Sequence, residues 1–97
     1  MTTPKGDWDP STRYEIFYDN TACKDLDSLP EIDYQRVDRK IVELGANPRP
    51  PGCEKLHDRV FRVRVGDRRI IYVVDDSQKR VIVSRVKRRN ESTYKGV

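Results

Sequence analysis

The chain has 97 residues, of which 35% are hydrophobic and 37% charged, and it carries a formal net charge of +4. A chain of this length forms one domain that buries only about two thirds of its unfolded surface. No apolar run approaches the roughly 20 residues of a membrane span, and the N-terminus lacks the apolar core of a secretory signal. We therefore expect a small cytoplasmic domain with one modest core.

The two cysteines, Cys23 and Cys53, are separated by 30 positions. This spacing is not that of a zinc site, and one pair does not make the disulfide framework of a small secreted domain. We expect free thiols in a reducing compartment, and the sequence predicts neither a metal site nor a cofactor.

Charge is distributed unevenly along the chain. Residues 1–58 contain 8 Lys or Arg against 12 Asp or Glu, whereas residues 59–97 contain 12 against 4. The two parts therefore carry formal charges of −4 and +8, which the modest total conceals. A concentrated basic segment favours a polyanionic partner, with nucleic acid as the first candidate. The alternative is a solvated basic face that has no partner.

The first third of the chain predicts an arm, a strand and a short helix. Residues 1–12 contain prolines, a glycine and aspartates, which favour a flexible arm, and residues 13–97 then form the domain. Residues 13–18 are rich in aromatic and β-branched side chains, as strands are. Asp19–Thr21 predicts a helix cap. The helix that follows has one apolar face, composed of Ala22, Leu26 and Leu29.

A second helix is predicted to begin at the capping-box pattern Ser28–Glu31. Gly45, followed by Asn47 and Pro48, predicts its end. The core face predicted for this helix consists of Tyr34, Val37, Ile41 and Leu44.

The C-terminal part changes from helical spacing to the period of two that is typical of strands. Three strands are predicted, at residues 61–65, 68–74 and 80–86. Gly66–Asp67 forms the first hairpin turn. The element order β-α-α-β-β-β predicts an α+β fold, in which an antiparallel sheet combines this meander with the first strand and the helical hairpin covers one face. Arg62 and Arg64 would then point from the uncovered face.

Several segments together carry a resemblance to a known family: Asn47–Gly52, Lys55–Leu56, Phe61–Tyr72, Val86–Arg89 and Tyr94. The stretch Phe61–Tyr72 reads FRVRVGDRRIIY and is very similar to the pattern YRIRVGDYRIIY of the RelE/ParE toxin superfamily. The chain resembles this superfamily over residues 13–94. The resemblance implies a compact sheet with two helices and a small RelB-like antitoxin that forms a hetero-oligomer with the toxin.

The superfamily contains two kinds of toxin, so the fold alone does not choose a function. RelE-like members cleave mRNA in the ribosomal A site, whereas ParE-like members inhibit DNA gyrase. Cleavage by attack of the RNA 2′-OH requires charge stabilisation at the phosphate and proton transfers, but no metal. The resemblance implies catalytic roles for five residues, namely Arg62, Arg64, Arg69, Arg88 and Tyr94.

Each of these residues aligns with a position of known role in RelE-like enzymes. Arg62 and Arg64 align with two basic residues that are lysines in the best-known members. Arg69 aligns with a phosphate-binding arginine. Arg88 aligns with an arginine near the leaving group, and Tyr94 with a tyrosine that stacks on the substrate base. Auxiliary phosphate contacts are expected from Lys55, Lys87 and Arg89.

The sequence leaves the proton acceptor open, because arginine does not deprotonate in proteins and Arg62 cannot replace a lysine base. The ribosome could position the hydroxyl while the cations stabilise charge, His57 or Tyr94 could take the proton, or cleavage could be weak or absent. The leading interpretation is a ribosome-dependent mRNA endoribonuclease. The alternatives are a ParE-like gyrase inhibitor and an inactive relative that binds RNA or ribosomes.

Overall fold

Two helices and five strands make up the described part of the chain. The computed structural model describes residues 13–88. The elements in chain order are β1 (Glu15–Tyr18), α1 (Asn20–Asp27), α2 (Glu31–Ala46), β2 (Glu54–His57), β3 (Val60–Val65), β4 (Arg68–Asp75) and β5 (Arg80–Arg88). The predicted arm, residues 1–12, lies outside the described residues, as do Arg89 and Tyr94. Within residues 13–88, neither helix is long and apolar enough to cross a membrane.

The five strands form one sheet in the order β1-β5-β4-β3-β2. The predicted α+β fold and the antiparallel β3–β4–β5 meander are confirmed. Two details of the predicted sheet were wrong. Strand β2 was not predicted, because its four residues are all exposed and show no apolar alternation. Strand β1 pairs with β5 in parallel, not antiparallel. The direction of pairing depends on the tertiary course of the chain, so the residues of a single strand do not predict it.

The core lies between the helices and one face of the sheet. Its fully buried side chains include Val37, Ile41 and Leu44 of α2 and the central strand residues Ile70 and Tyr72. Tyr72 is completely buried, and its hydroxyl donates to the backbone oxygen of Pro48 at 2.7 Å. Burial raises the pKa of Tyr72 above its ordinary value, so this phenol serves as a neutral hydrogen-bond donor inside the core.

The structure corrects the predicted start of α2 and one residue of its predicted core face. Ser28 follows α1 and donates its hydroxyl to the backbone oxygen of Asp25 at 2.8 Å, so it does not cap α2, which begins after Pro30. Tyr34, in the first turns of α2, is 43% exposed and does not belong to the core. Gly45 lies buried inside the last turn of α2. A Cβ there would stand 3.1 Å from the backbone oxygen of Tyr14.

A β-bulge in β5 is held by a carboxylate from α1. Ile71 pairs with Arg85 and Tyr72 pairs with Val83, which leaves one extra residue in β5. The Asp25 Oδ2 atom accepts the Val86 N–H at 2.9 Å and the Arg85 Nε–H at 2.9 Å. One side chain therefore anchors α1 to the sheet and satisfies a backbone donor next to the bulge.

Replacing Asp25 should destabilise the domain. Asp25→Ala removes the acceptor of a partly buried backbone N–H, so we expect the free energy of unfolding to fall by about 1–3 kcal/mol. Urea unfolding followed by circular dichroism measures the change. Asp27→Ala, at an exposed position of the same helix, is the matched control. Equal effects of the two variants would show that Asp25 does not anchor α1.

The edge of the domain near the β4–β5 turn contains a second polar cluster. The Tyr14 hydroxyl donates to Asp76 Oδ1 at 2.5 Å, and Arg49 Nη2 donates to Asp76 Oδ2 at 2.6 Å. These hydrogen bonds, from Tyr14 first and then from Arg49, lower the pKa of Asp76 below its ordinary value. The Arg49 guanidinium also lies 5.4 Å from the centre of the Phe61 ring. The cluster thus joins β1, the loop after α2 and the β4–β5 turn.

This cluster predicts a specific pH dependence of stability. Because the pKa of Asp76 is lowered in the folded state, its contribution is complete above the ordinary aspartate pKa of about 4 and is lost as the pH falls through the lowered value. Asp76→Asn should therefore lower the urea midpoint at neutral pH, and its difference from the unaltered protein should shrink in acid. Asp58→Asn makes an equal charge change in the exposed β2–β3 turn, and its urea midpoint should not converge with that of the unaltered protein in acid. A difference in midpoint that stays constant with pH for Asp76→Asn would contradict the prediction.

Candidate active site

Three basic residues share one register row on the face of the sheet opposite the core. Arg64 of β3 pairs with Arg69 of β4, and Arg69 pairs with Lys87 of β5. Strand alternation sets this row on the opposite side from the buried Val63 and Ile70. We call Arg64, Arg69 and Lys87 the cationic row. All three were predicted as site residues, and the structure brings them together.

Arg62 lies on the same open face, two residues before Arg64, and is bound to an acid. Glu54 of β2 stands opposite Arg62 in the ladder. The Arg62 Nε–H donates to Glu54 Oε1 at 2.8 Å, and Arg62 Nη2 contacts the same oxygen. Two of the three nitrogens of this guanidinium therefore already have an acceptor, so a phosphate that binds Arg62 through them must compete with Glu54.

Glu54 also lies in the electrostatic field of the cationic row. Its hydrogen bond with Arg62 lowers the pKa of Glu54 most, followed by the charge of Arg62, and the charges of Arg64 and Arg69 lower it further. Glu54 was not predicted as a site residue, because the sequence of β2 carries no strand pattern. Only the β2–β3 pairing reveals this contact, since it brings together two residues that are eight positions apart.

The structure separates two other predicted residues from the cationic row. Lys55 stands opposite Phe61 in the ladder, out of phase with Glu54. Arg88 stands opposite Arg68 at the end of β5, out of phase with Lys87. The prediction relied on aligned positions, which do not show to which side of a strand a residue points. The catalytic role of Arg88 and the phosphate contact of Lys55 stay predictions.

The possible proton acceptors also have distinct positions. His57 is exposed at the end of β2 and pairs with Val60, at the opposite end of β3 from Arg64. Tyr94 lies outside the described residues. Glu54 is the carboxylate that the structure places beside the cationic row, so it joins the candidates that the sequence suggested.

The arrangement is suited to binding phosphate groups. Guanidinium groups offer paired N–H donors that match two phosphoryl oxygens, and an ammonium group adds a point charge. The Nε atom of Arg69 is buried and has no hydrogen-bond partner within residues 13–88. A surface with three aligned cations and a fourth that is held by a carboxylate can hold a phosphate and stabilise charge that develops on it.

The sequence of this chain is similar to those of known toxins. The sequence profile of the family described as the ParE toxin of type II toxin–antitoxin system, parDE, matches residues 16–93. A protein of Methanocaldococcus jannaschii that carries the name toxin RelE1 is 31% identical over 88 residues, which cover 86% of this chain and 97% of that protein.

Solved structures show the same fold in complexes of toxin with antitoxin. The RelBE2 complex of Mycobacterium tuberculosis gives a TM-score of 0.72 at 26% identity, covering 82% of this chain and 95% of that one. The archaeal RelE–RelB complex of Pyrococcus horikoshii gives a TM-score of 0.71 at 28% identity, covering 82% and 99%. With a family match from β1 to beyond β5 and a RelE fold, the chain belongs to the RelE/ParE superfamily, as a RelE-like toxin of the type II toxin–antitoxin class.

Proposed function

We propose that this chain is an mRNA endoribonuclease that acts on the ribosome and thereby inhibits translation. The observation that carries the proposal is the cationic row, with Arg62 and Glu54 beside it on the same open face. The row provides phosphate binding and charge stabilisation, while Glu54 provides a carboxylate next to the cations. A toxin that acted only through a protein interface would need neither group.

In the proposed reaction, the RNA 2′-oxygen attacks the adjacent phosphorus and the bond from phosphorus to the 5′-oxygen breaks. Arg69 and Arg64 stabilise the negative charge that grows on the phosphoryl oxygens. The 2′-OH loses its proton to a base, and the leaving 5′-oxygen gains a proton from an acid. The products are a 2′,3′-cyclic phosphate and a 5′-OH. The reaction as proposed uses the RNA and the protein side chains, with no cofactor.

Glu54 is the proton acceptor that best suits this geometry. Its lowered pKa keeps it ionised at neutral pH, so it is ready to accept a proton, although it is a weak base. Arg62 holds the carboxylate in place through its hydrogen bonds. The ribosome is proposed to align the 2′-OH with the phosphate, which compensates for a weak base by orientation.

A RelB-like antitoxin is the proposed partner, and the cytoplasm, where ribosomes and mRNA meet, is the proposed location. The support for the partner is that the solved M. tuberculosis and P. horikoshii relatives are complexes of RelE-type toxins with RelB-type antitoxins. The cationic row, in which Arg64 is exposed and Arg69 and Lys87 are half-buried, offers acidic side chains of an antitoxin a complementary surface. Contacts of that kind would block access of RNA to Arg64 and Arg69.

Primer extension on a defined mRNA bound to purified ribosomes tests the proposal. The unaltered protein should produce discrete cuts in the A-site codon. Arg69→Gln removes a donor aimed at the developing charge and should lower the cleavage rate by at least about 100-fold. Arg59→Gln, with the same charge change in the β2–β3 turn, should cleave normally.

The absence of cuts by a folded, unaltered protein would overturn the nuclease proposal. A DNA supercoiling assay would then separate the two alternatives, because a ParE-like toxin inhibits gyrase and an inactive RNA- or ribosome-binding relative does not. Equal activity of Arg69→Gln and the unaltered protein would show that cleavage does not use the cationic row.

Glu54→Gln should have opposite effects on binding and on cleavage. Loss of the negative charge frees Arg62, so RNA should bind more tightly, with a salt dependence steeper by about 0.7 in the log–log slope. Loss of the proton acceptor should reduce single-turnover cleavage on ribosomes by about 100-fold or more. Tighter binding with undiminished cleavage would exclude Glu54 as the base, and restored cleavage in Glu54→Asp would support it.

A further inference from the structure

A cleft of about 260 Å³ opens between α2 and the C-terminal end of β3. Its walls are formed by Arg36, Arg39, Lys40, Glu43, Arg64 and Val65. Four of these six residues are cationic and one is acidic. We call this feature the α2–β3 cleft. Only Arg64 belongs to the site described above.

The positive charge of the α2–β3 cleft is poorly compensated. Arg39 and Lys40 follow Arg36 by three and four residues, so both lie near Arg36 on the surface of α2. Like charges at these spacings destabilise a helix. Glu43 pairs with Lys40 at 3.4 Å. Among the residues that the structure describes, no carboxylate lies within ion-pair distance of Arg36 or Arg39. An anion from another molecule would relieve this repulsion.

The α2–β3 cleft and the cationic row have one residue in common. Arg64 belongs to both. The Arg36 Nη1 atom lies 3.6 Å from the position that a Cβ of Gly66 would occupy, so this guanidinium rests against the β3–β4 turn. Asp33, one turn earlier in α2, accepts a hydrogen bond from Arg68 Nη2 at 3.0 Å. This ion pair holds α2 at a defined place beside the β3–β4 turn, on the core side of the sheet.

We propose that the α2–β3 cleft binds the sugar–phosphate backbone of RNA next to the cleaved segment, through Arg36 and Arg39. The proposal rests on the proposed function in taking RNA as the ligand. The cleft is smaller than the pockets of about 300–1,000 Å³ that hold drug-sized molecules. It also lacks the aromatic anchors that dominate protein interfaces, since Val65 is its one apolar wall residue. Phosphate groups need cations and hydrogen-bond donors, and the cleft supplies both.

Salt-dependent RNA binding tests the proposal. The full chain is titrated into a fluorescent 20-nucleotide 2′-O-methyl RNA, which cannot be cleaved by 2′-OH attack, at a series of KCl concentrations. Each phosphate contact with a single strand contributes about 0.7 to the log–log slope. The double variant Arg36→Gln/Arg39→Gln should therefore lose about 1.4 from the slope, with a Kd at least about tenfold weaker at low salt.

Two further double variants separate a local contact from a change in net charge. Lys24→Gln/Arg59→Gln removes two charges from α1 and the β2–β3 turn, and it should leave the slope nearly unchanged. Arg36→Lys/Arg39→Lys keeps both charges and should retain most of the slope. Thermal unfolding establishes that every variant is folded.

The outcomes distinguish this inference from the proposed nuclease. A protein that cuts no mRNA, yet loses about 1.4 from the slope in the Arg36→Gln/Arg39→Gln variant, would refute the nuclease and support the cleft as an RNA site. An unchanged slope in that variant, or an equal loss in the Lys24→Gln/Arg59→Gln control, would overturn the cleft proposal. Unchanged RNA binding with weakened binding of a polyglutamate peptide would assign the cleft to an acidic protein segment instead, and would overturn it as well.

Discussion

The alternation of side chains along β3, β4 and β5 is the constraint on which the rest of the structure depends. One side of these strands is covered by α2 and forms the core, with Ile70 and Tyr72 fully buried. The other side carries the cationic row of Arg64, Arg69 and Lys87. Since the period of a strand is two, the same hydrogen-bonded ladder that buries the apolar side necessarily aligns the cations on the other. Core and site are therefore two faces of one set of strands.

Carboxylates from the helices fix the position of both helices on this sheet. Asp25 of α1 binds Arg85 and the Val86 N–H, and Asp33 of α2 binds Arg68. Exposed ion pairs contribute little to stability, but these contacts are partly buried, and one of them satisfies a backbone donor beside a bulge. Their main consequence is positional, because the Asp33–Arg68 pair holds α2 next to the β3–β4 turn on the core side of the sheet, where the α2–β3 cleft shares Arg64 with the cationic row.

Glu54 places a negative charge among the cations of this basic surface. Cations in adjacent strands repel one another, and a carboxylate among them reduces that repulsion while Arg62 holds it in one place. Under the proposed function, the same carboxylate competes with RNA phosphate for Arg62. Affinity for RNA and capacity for proton transfer would then be opposed at a single side chain.

The sequence by itself determined the order of both helices and of four of the five strands, the meander, most of the apolar face of α2 and three members of a basic site, because these follow from local periodicity and from residues close together along the chain. The combined pattern of several segments, with Phe61–Tyr72 among them, also identified the superfamily to which the chain belongs. Only the tertiary structure decided the parallel pairing of β1, the existence of β2, the approach of Glu54 to Arg62, and the separation of Arg88 from the row. Each of these depends on which strands become neighbours and in what register, and that choice comes from packing the whole domain, not from the residues of any one segment.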